Sequence, residues 1–121
     1  MKDFRDLHVW ARAHGLTLAV YAATSRFPRE ELYGLTSQIR RCSVSIGANI
    51  AESCGKTGNN EFQRFLQIAS GSASELDYEL LLAKDLGYLA SPEYLRIADE
   101  LSQIRKMLSS LLRKVNVDRR A

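Results

Sequence analysis

Cys42-Ser43-Val44-Ser45-Ile46-Gly47-Ala48-Asn49-Ile50-Ala51 is a run of ten uncharged, mostly small residues held between Arg40-Arg41 and Glu52. Placed on a helix, Leu32, Leu35, Ile39, Cys42, Ile46 and Ile50 form one apolar stripe, whereas Val44, Gly47, Ala48 and Ala51 lie on other sides. A helix without an ordinary charged face calls for burial nearly all round. One small bundle covers only part of such a rod, so a second subunit is the natural cover for the remainder. The stretch therefore predicts assembly together with fold.

Working outward, the same apolar spacing recurs on both sides. A first helix is predicted from about Asp6, read as its N-cap, to Thr24, with Val9, Ala13, Leu16, Val20 and Ala23 at alternating steps of four and three. Ser25-Arg26-Phe27-Pro28 breaks it, and the second helix is predicted over about Arg29 to Ser53, with Pro28 suited to its first turn. Gly55 to Asn60 forms a loop. A third helix, about Glu61 to Leu86, carries Phe62, Phe65, Ala69, Ser72, Leu76 and Ala83, and Gly87 stops it. Ser91-Pro92 starts a fourth, along which Tyr94, Ile97, Leu101, Ile104, Leu108, Leu111 and Val115 keep the period. Four helices with short connections predict an all-α, antiparallel up-down four-helix bundle occupying residues 1–121 as a single domain.

With 121 residues the chain can bury a substantial core without disulfides or metals. Hydrophobic and charged fractions of 45% and 26% are those of a globular protein, and no apolar run reaches the roughly 18 to 20 residues that span a bilayer. No signal-peptide core follows Met1-Lys2-Asp3-Phe4-Arg5-Asp6, so a cytoplasmic location and no membrane partner are expected. Cys42 and Cys54 stand twelve positions apart on one helix, about 18 Å of rise, too far for a disulfide. Neither cysteine has a metal-ligand pattern around it in sequence.

Signatures of catalysis fail on their context. Gly55-Lys56-Thr57 matches the end of a phosphate-binding loop, but Ile50 occupies the place of the earlier glycine and the setting is helix-loop-helix. Ser53-Cys54-Gly55-Lys56 is an isolated Ser-x-x-Lys without its companion motifs. His8 and His14, six residues apart, point in different directions and cannot chelate together. Glu75, Asp77 and Glu79 read as a solvated face. No enzyme activity, cofactor or metal is expected.

A polar seam is more informative. Arg41, Ser45, Asn49 and Glu52 fall within about 80° of one another beside the apolar stripe. The third helix offers small residues Ala69-Ser70-Gly71-Ser72-Ala73-Ser74, with Glu75 just beyond, for close approach of another backbone. An unsatisfied buried polar group costs roughly 1 to 3 kcal/mol. Arg41, Ser45, Asn49, Glu52, Ser72 and Glu75 are therefore expected to pair between helices or subunits.

Longer patterns support a resemblance. Phe4-x-x-Leu7-x-Val9-Trp10, Phe27-Pro28-x-Glu30-Glu31-x-Tyr33-Gly34-Leu35-Thr36-x-Gln38-Ile39-Arg40-Arg41 and Ser45-Ile46-x-x-Asn49-Ile50-Ala51-Glu52 are joined by Glu61-Phe62-x-Arg64-Phe65-Leu66-x-Ile68-Ala69-x-Gly71-Ser72, Glu75-Leu76 and Leu86-Gly87-Tyr88-Leu89. In order and spacing they resemble the proteins encoded in 23S rRNA intervening sequences, also called S23 ribosomal proteins. Gly47 stands where that family commonly has proline, and Ser53 where it commonly has glycine. The resemblance implies a four-helix bundle that assembles as a ring, a homopentamer. It also implies a likeness to the pentameric accessory protein of diversity-generating retroelements, which engages nucleic acid and a reverse transcriptase. Ribosome membership does not follow from the family's name.

Charge is distributed unevenly. From position 105 onward Arg105, Lys106, Arg113, Lys114, Arg119 and Arg120 oppose only Asp118, whereas residues 61–104 hold three basic and eight acidic residues. Repeated around a ring, the basic ends would attract phosphate backbones in a salt-dependent way. The competing reading is a solubilising terminal charge run. The expected partners are further copies of the chain and RNA or other nucleic acid, with a polymerase-type protein as the partner of an adaptor that never touches RNA.

Overall fold

Leu35, Ile39, Cys42, Ile46 and Ile50 are buried along one side of a helix that runs over Leu35–Cys54, and the other three helices are arranged by what that side packs against. The protein is described here as a computed structural model covering residues 3–56 and 58–120, with side chains described through residue 115. Four α-helices, α1 (His8–Thr24), α2 (Leu35–Cys54), α3 (Asn59–Asp85) and α4 (Ser91–Arg120), are accompanied by 3-10 turns at Phe4–Asp6 and Arg29–Glu31; there is no strand among the described residues. Each helix packs on its neighbours in sequence, and α4 closes the square against α1.

Cross-helix contacts fix the direction of every pair. Between α1 and α4, Arg26, just past the end of α1, binds Glu93 at 2.7 Å while Arg12, fourteen residues earlier, grips Glu100 through both Nε and Nη2. Between α2 and α3, Ser45 meets Ser72 and Lys56 lies over the Phe65 ring. Between α3 and α4, Arg105 reaches Asp77 while Lys84 lies over the Tyr94 ring. Rising numbers on one helix meet falling numbers on the next, so the bundle is antiparallel throughout. Ion pairs set this register, while the stability comes from the shared core, where each buried Leu or Ile contributes ~1.5–3 kcal/mol. That core draws Leu16, Ile39, Ile46, Leu66, Leu76, Leu101, Ile104 and Leu108 from all four helices. No described helix is long and apolar enough to cross a membrane.

The starts of the first two helices differ from the sequence reading, each for a local reason. Asp6 caps no helix: the chain first makes the 3-10 turn Phe4–Asp6, where the Asp3 carboxylate accepts from the Arg5 N–H, and α1 begins only at His8. The second helix does not start at Arg29, because Pro28 opens a separate 3-10 turn and Gly34 intervenes. Leu32 consequently leaves the apolar stripe and is 46% exposed. Glu31 supplies the missing cap, its Oε1 accepting from the Leu35 N–H at 3.1 Å. A Cβ on Gly34 would stand 2.7 Å from that same Oε1, so bareness at position 34 leaves room for the cap.

The other carboxylate oxygen of Glu31 accepts from the Tyr88 hydroxyl at 3.0 Å, and Tyr88 packs on Phe27. The hydrogen bond to Glu31 raises the Tyr88 phenol above its ordinary value. The turn before α2 is thereby tied to the turn after α3, at one end of the bundle. Gly87, at φ +82°, makes that second turn. Its N–H donates to the Lys84 carbonyl and the Tyr88 N–H donates to the Ala83 carbonyl, the two bonds of a Schellman cap. Gly87→Ala is expected to lower stability by about 1 kcal/mol in urea unfolding, because a side chain penalises the left-handed backbone. Gly15→Ala, mid-helix with open space around its Cβ, is expected to raise it by about 0.5–1 kcal/mol.

Candidate functional site

Two regions carry unusual chemistry. The first is an open groove of about 570 Å³ along the outer face of α4, lined by Ser102, Arg105, Lys106, Ser109, Ser110 and Arg113. Helical spacing of three and four puts these residues on one side, opposite Leu101, Ile104 and Leu108 in the core. Arg105 is held by Asp77 and by the Ser74 hydroxyl, and Arg113 donates to Ser110 Oγ, whereas Lys106 and Lys114 are exposed. Cations alternating with hydroxyls suit phosphate oxygens, which take both charge and hydrogen bonds. Of the six basic residues singled out in the sequence, Arg105, Lys106 and Arg113 line this groove and Lys114 lies one residue beyond. The side chains of Arg119 and Arg120 lie outside the described residues, as does Thr57 of the Gly55-Lys56-Thr57 stretch. The serines were not anticipated; their spacing with the cations was the available signal.

The second region is the seam between α2 and α3. Ser45 Oγ and Ser72 Oγ share a 2.7 Å hydrogen bond, the cross-helix pairing expected of them. Asn49 instead turns back within α2, donating from Nδ2 to the Ser45 carbonyl and hydroxyl. Arg41 donates to Ser37, and Glu52 pairs with Lys56, each one turn away on the same stretch of chain. Within the chain, then, Ser45 and Ser72 bridge helices while Arg41, Asn49 and Glu52 are satisfied locally. Gln38, Arg41, Cys42, Ser45, Ser72 and Glu75 line a cleft of about 200 Å³ there.

Beneath the cleft lies a group the sequence reading misplaced. Glu79 is not part of a solvated face: it is only 5% exposed, and its Oε1 has no hydrogen-bond partner. Glu75 is exposed at the rim, and Asp77 pairs with Arg105. Ser72 and Glu79 are seven apart, so both flank the core line of Ala69, Ala73, Leu76, Leu80 and Ala83 toward α2. That spacing was the signal for burial. The Cys42 thiol donates to the Ser72 carbonyl at 3.1 Å, and its sulfur lies within 4.8 Å of carboxylate oxygens of both Glu75 and Glu79. Burial, followed by hydrogen bonding to Glu75 and that residue's charge, pushes Glu79 up to about 7. Burial and the two carboxylates push the Cys42 thiol up to about 12, so this cysteine is a poor nucleophile.

The remaining sequence candidates are structural. His14 stacks on Trp10 at 5.1 Å, and both His8 and His14 are exposed. Gly47 faces Trp10, where a Cβ would make ordinary contact with Nε1 at 3.7 Å. Ser53 is buried and donates to the Ile50 carbonyl at 2.6 Å, and α2 continues past it to Cys54, with Gly55 as its C-cap. Both cysteines are buried and outside any disulfide.

Comparison with known proteins places these features in a family. A family model described as the 23S rRNA-intervening sequence protein matches residues 5–110. The match takes in Arg105 and Lys106 and ends before Arg113, Lys114, Arg119 and Arg120. Among solved structures, a protein of unknown function from the S23 ribosomal protein family of Bacteroides thetaiotaomicron is similar, with a TM-score of 0.80 and 27% sequence identity. The similarity covers 86% of this chain and 97% of the other. No curated protein matches the chain.

The raised carboxyl of Glu79 gives a signed expectation. The folded protein keeps a proton that the unfolded chain releases near 4.5, so stability declines as pH rises from about 4.5 to about 7 and levels off above. Glu79→Gln is expected to flatten that decline and to stabilise the protein at pH 8 by roughly 1–3 kcal/mol. Urea unfolding from pH 5 to pH 8 in chelator-containing buffer measures both; equal pH dependence in the two proteins would refute the assignment.

Proposed function

The chain belongs to the 23S rRNA-intervening sequence protein family, and from that premise we propose that it is a non-enzymatic, homo-oligomeric helical scaffold of the cytoplasm that holds RNA against α4. The observation that carries the reading is the α4 groove, where Arg105, Lys106 and Arg113 share one open face with Ser102, Ser109 and Ser110. A groove of this chemistry contacts sugar-phosphate backbone and leaves base sequence unread. Repetition of the groove in an assembly multiplies its field, which gives one protomer of net charge +3 a much stronger hold on a polyanion.

Assembly is supported by the outward strip of α2. Val44 is 44% exposed, Ala48 is exposed and Ala51 is half-buried, so the protomer leaves uncharged helix surface uncovered where its core-facing side is already filled. Small side chains there allow another helix to approach closely. The ring of five comes from the family resemblance alone.

A second reading is favoured by a different patch. Tyr33 is 94% exposed and, with Tyr21, Leu32, Thr36, Ser37, Arg40 and Arg41, borders a shallow concavity of about 380 Å³. Exposed aromatic and arginine side chains are the usual anchors of protein interfaces. This surface would serve an adaptor that docks a polymerase-type protein without touching RNA.

Light scattering on the dilute protein, repeated with a generic RNA, tests both parts. The expected particle has the mass of five chains, and Val44→Glu with Ala48→Glu reduces it to one chain that remains folded. RNA binding is expected to weaken steeply with salt, and the combined variant Lys106→Ala, Arg113→Ala and Lys114→Ala to flatten the slope of log K against log salt by about 0.7 per lost single-strand contact. A single-chain particle would overturn the assembly, and unchanged binding by the triple variant would overturn the α4 surface.

A further inference from the structure

The acidic-thiol cluster under the α2–α3 cleft plays no part in holding RNA, and it is expensive to maintain. Two carboxylates and a thiol converge from three turns of two helices, with a donor atom from each of Cys42, Glu75 and Glu79 inside a 4.8 Å radius of the others. Cys42 and Glu79 are buried, and Glu79 Oε1 lacks any partner. A buried carboxylate oxygen without a hydrogen bond costs roughly 1 to 3 kcal/mol or more. We propose that Cys42, Glu75 and Glu79 form a binding site for one zinc-like divalent cation per chain.

The geometry is suited to such an ion. Zinc takes thiolate sulfur at about 2.3 Å and carboxylate oxygen at about 2.0–2.2 Å. A tetrahedron built from those bonds sets its ligand atoms about 3.5 Å apart, so the present separations close by ordinary side-chain rotation. Glu75 sits at the exposed rim and can swing inward, while Cys42 and Glu79 are fixed by the core. The cleft of about 200 Å³ above them leaves space for water as the fourth ligand. Its wall carries Gln38, Ser45 and Ser72 as hydrogen-bonding groups for that water, and Ser72 also offers the carbonyl that now accepts from the thiol.

Charge balance favours the same ion. On binding, Cys42 Sγ loses its proton to the buffer and its hydrogen bond to Ser72, the protonated fraction of Glu79 likewise gives its proton to the buffer, and metal–sulfur and metal–oxygen bonds take their place. One thiolate and two carboxylates around a dication leave one negative charge, and Arg41, which lines the cleft, balances it. The cation also compensates the burial and the neighbouring carboxylate charge that together hold the thiol and Glu79 above their ordinary values. Mg²⁺ and Ca²⁺ prefer all-oxygen ligands and gain little from sulfur, so the site discriminates against them. The ligands come from positions 42, 75 and 79, and no local spacing motif announces them.

Titration of the chelator-treated full chain with Zn²⁺, followed by calorimetry, is expected to give one ion per chain and a higher unfolding temperature, with no response to Mg²⁺. Co²⁺ in place of Zn²⁺ is expected to show the near-ultraviolet absorption of a cobalt–thiolate bond, which reports Cys42 directly. Cys42→Ser removes that band, and Glu75→Gln weakens Zn²⁺ binding at least tenfold, since even supporting groups around a metal are worth about 10–100-fold. Glu75 is exposed, so its variant folds and decides the matter should Cys42→Ser not fold. Absence of saturable Zn²⁺ binding leaves Glu75 and Glu79 as a proton-sharing pair and overturns the proposal. Binding that survives Glu75→Gln unchanged places the ion elsewhere and overturns it equally.

Discussion

The close approach of α2 and α3 governs what else this bundle can do. Cys42, Ser45, Ala69, Ser72 and Ala73 bring no bulk to the seam, so the two backbones come near enough for serine hydroxyls to touch across it at 2.7 Å. Proximity of that kind desolvates whatever polar atoms are present, and each must then find a partner. Ser45, Ser72, Asn49 and the Cys42 thiol do so through hydrogen bonds with one another and with helix carbonyls. Glu79 is drawn into the same space with one oxygen unmatched. Tight packing and odd chemistry here have one cause.

The two ends of the bundle are built differently. At one end, Glu31 caps α2 and accepts from Tyr88, Phe27 packs on Tyr88, and Gly87 permits the turn that brings Tyr88 there. Several motif residues that mark the family therefore secure architecture. At the other end α4 continues past the start of α1, with Met107 and Leu111 bordering a recess beside Leu7 and His8. Arg113 and Lys114, exposed beyond Leu111, stand at that end and in a stretch outside the family match.

Much of this was legible in sequence because it depends on period. Val9, Ala13, Leu16, Val20 and Ala23 are all buried as their spacing requires, and Ile97, Leu101, Ile104 and Leu108 likewise. Gly87 ended α3 as glycine commonly does, since its positive φ is a local property of one residue. The failures arose where the deciding atom is distant. Glu31 was not recognisable as a cap because its role depends on Gly34 and Tyr88 together, and Leu32 was assigned to a helix that starts three residues later. Glu79 was read with Glu75 and Asp77 as one acidic face, although Asp77 lies on another side of α3 and, of the pair four residues apart, only Glu79 is turned far enough toward the core to be buried. Cys42 was rightly placed in the core, but the carboxylates that converge on it lie more than thirty positions away in the chain.

Trp10, the sole tryptophan, stands edge-on to Phe4, lies flat against His14 and borders the bare backbone of Gly47 on α2. Nature has in effect placed a single intrinsic fluorophore beside the greasy strip of Val44 and Ala48. Emission colour therefore monitors one flank of α2 without dye or label, through an indole held between the Phe4 ring and the His14 imidazole.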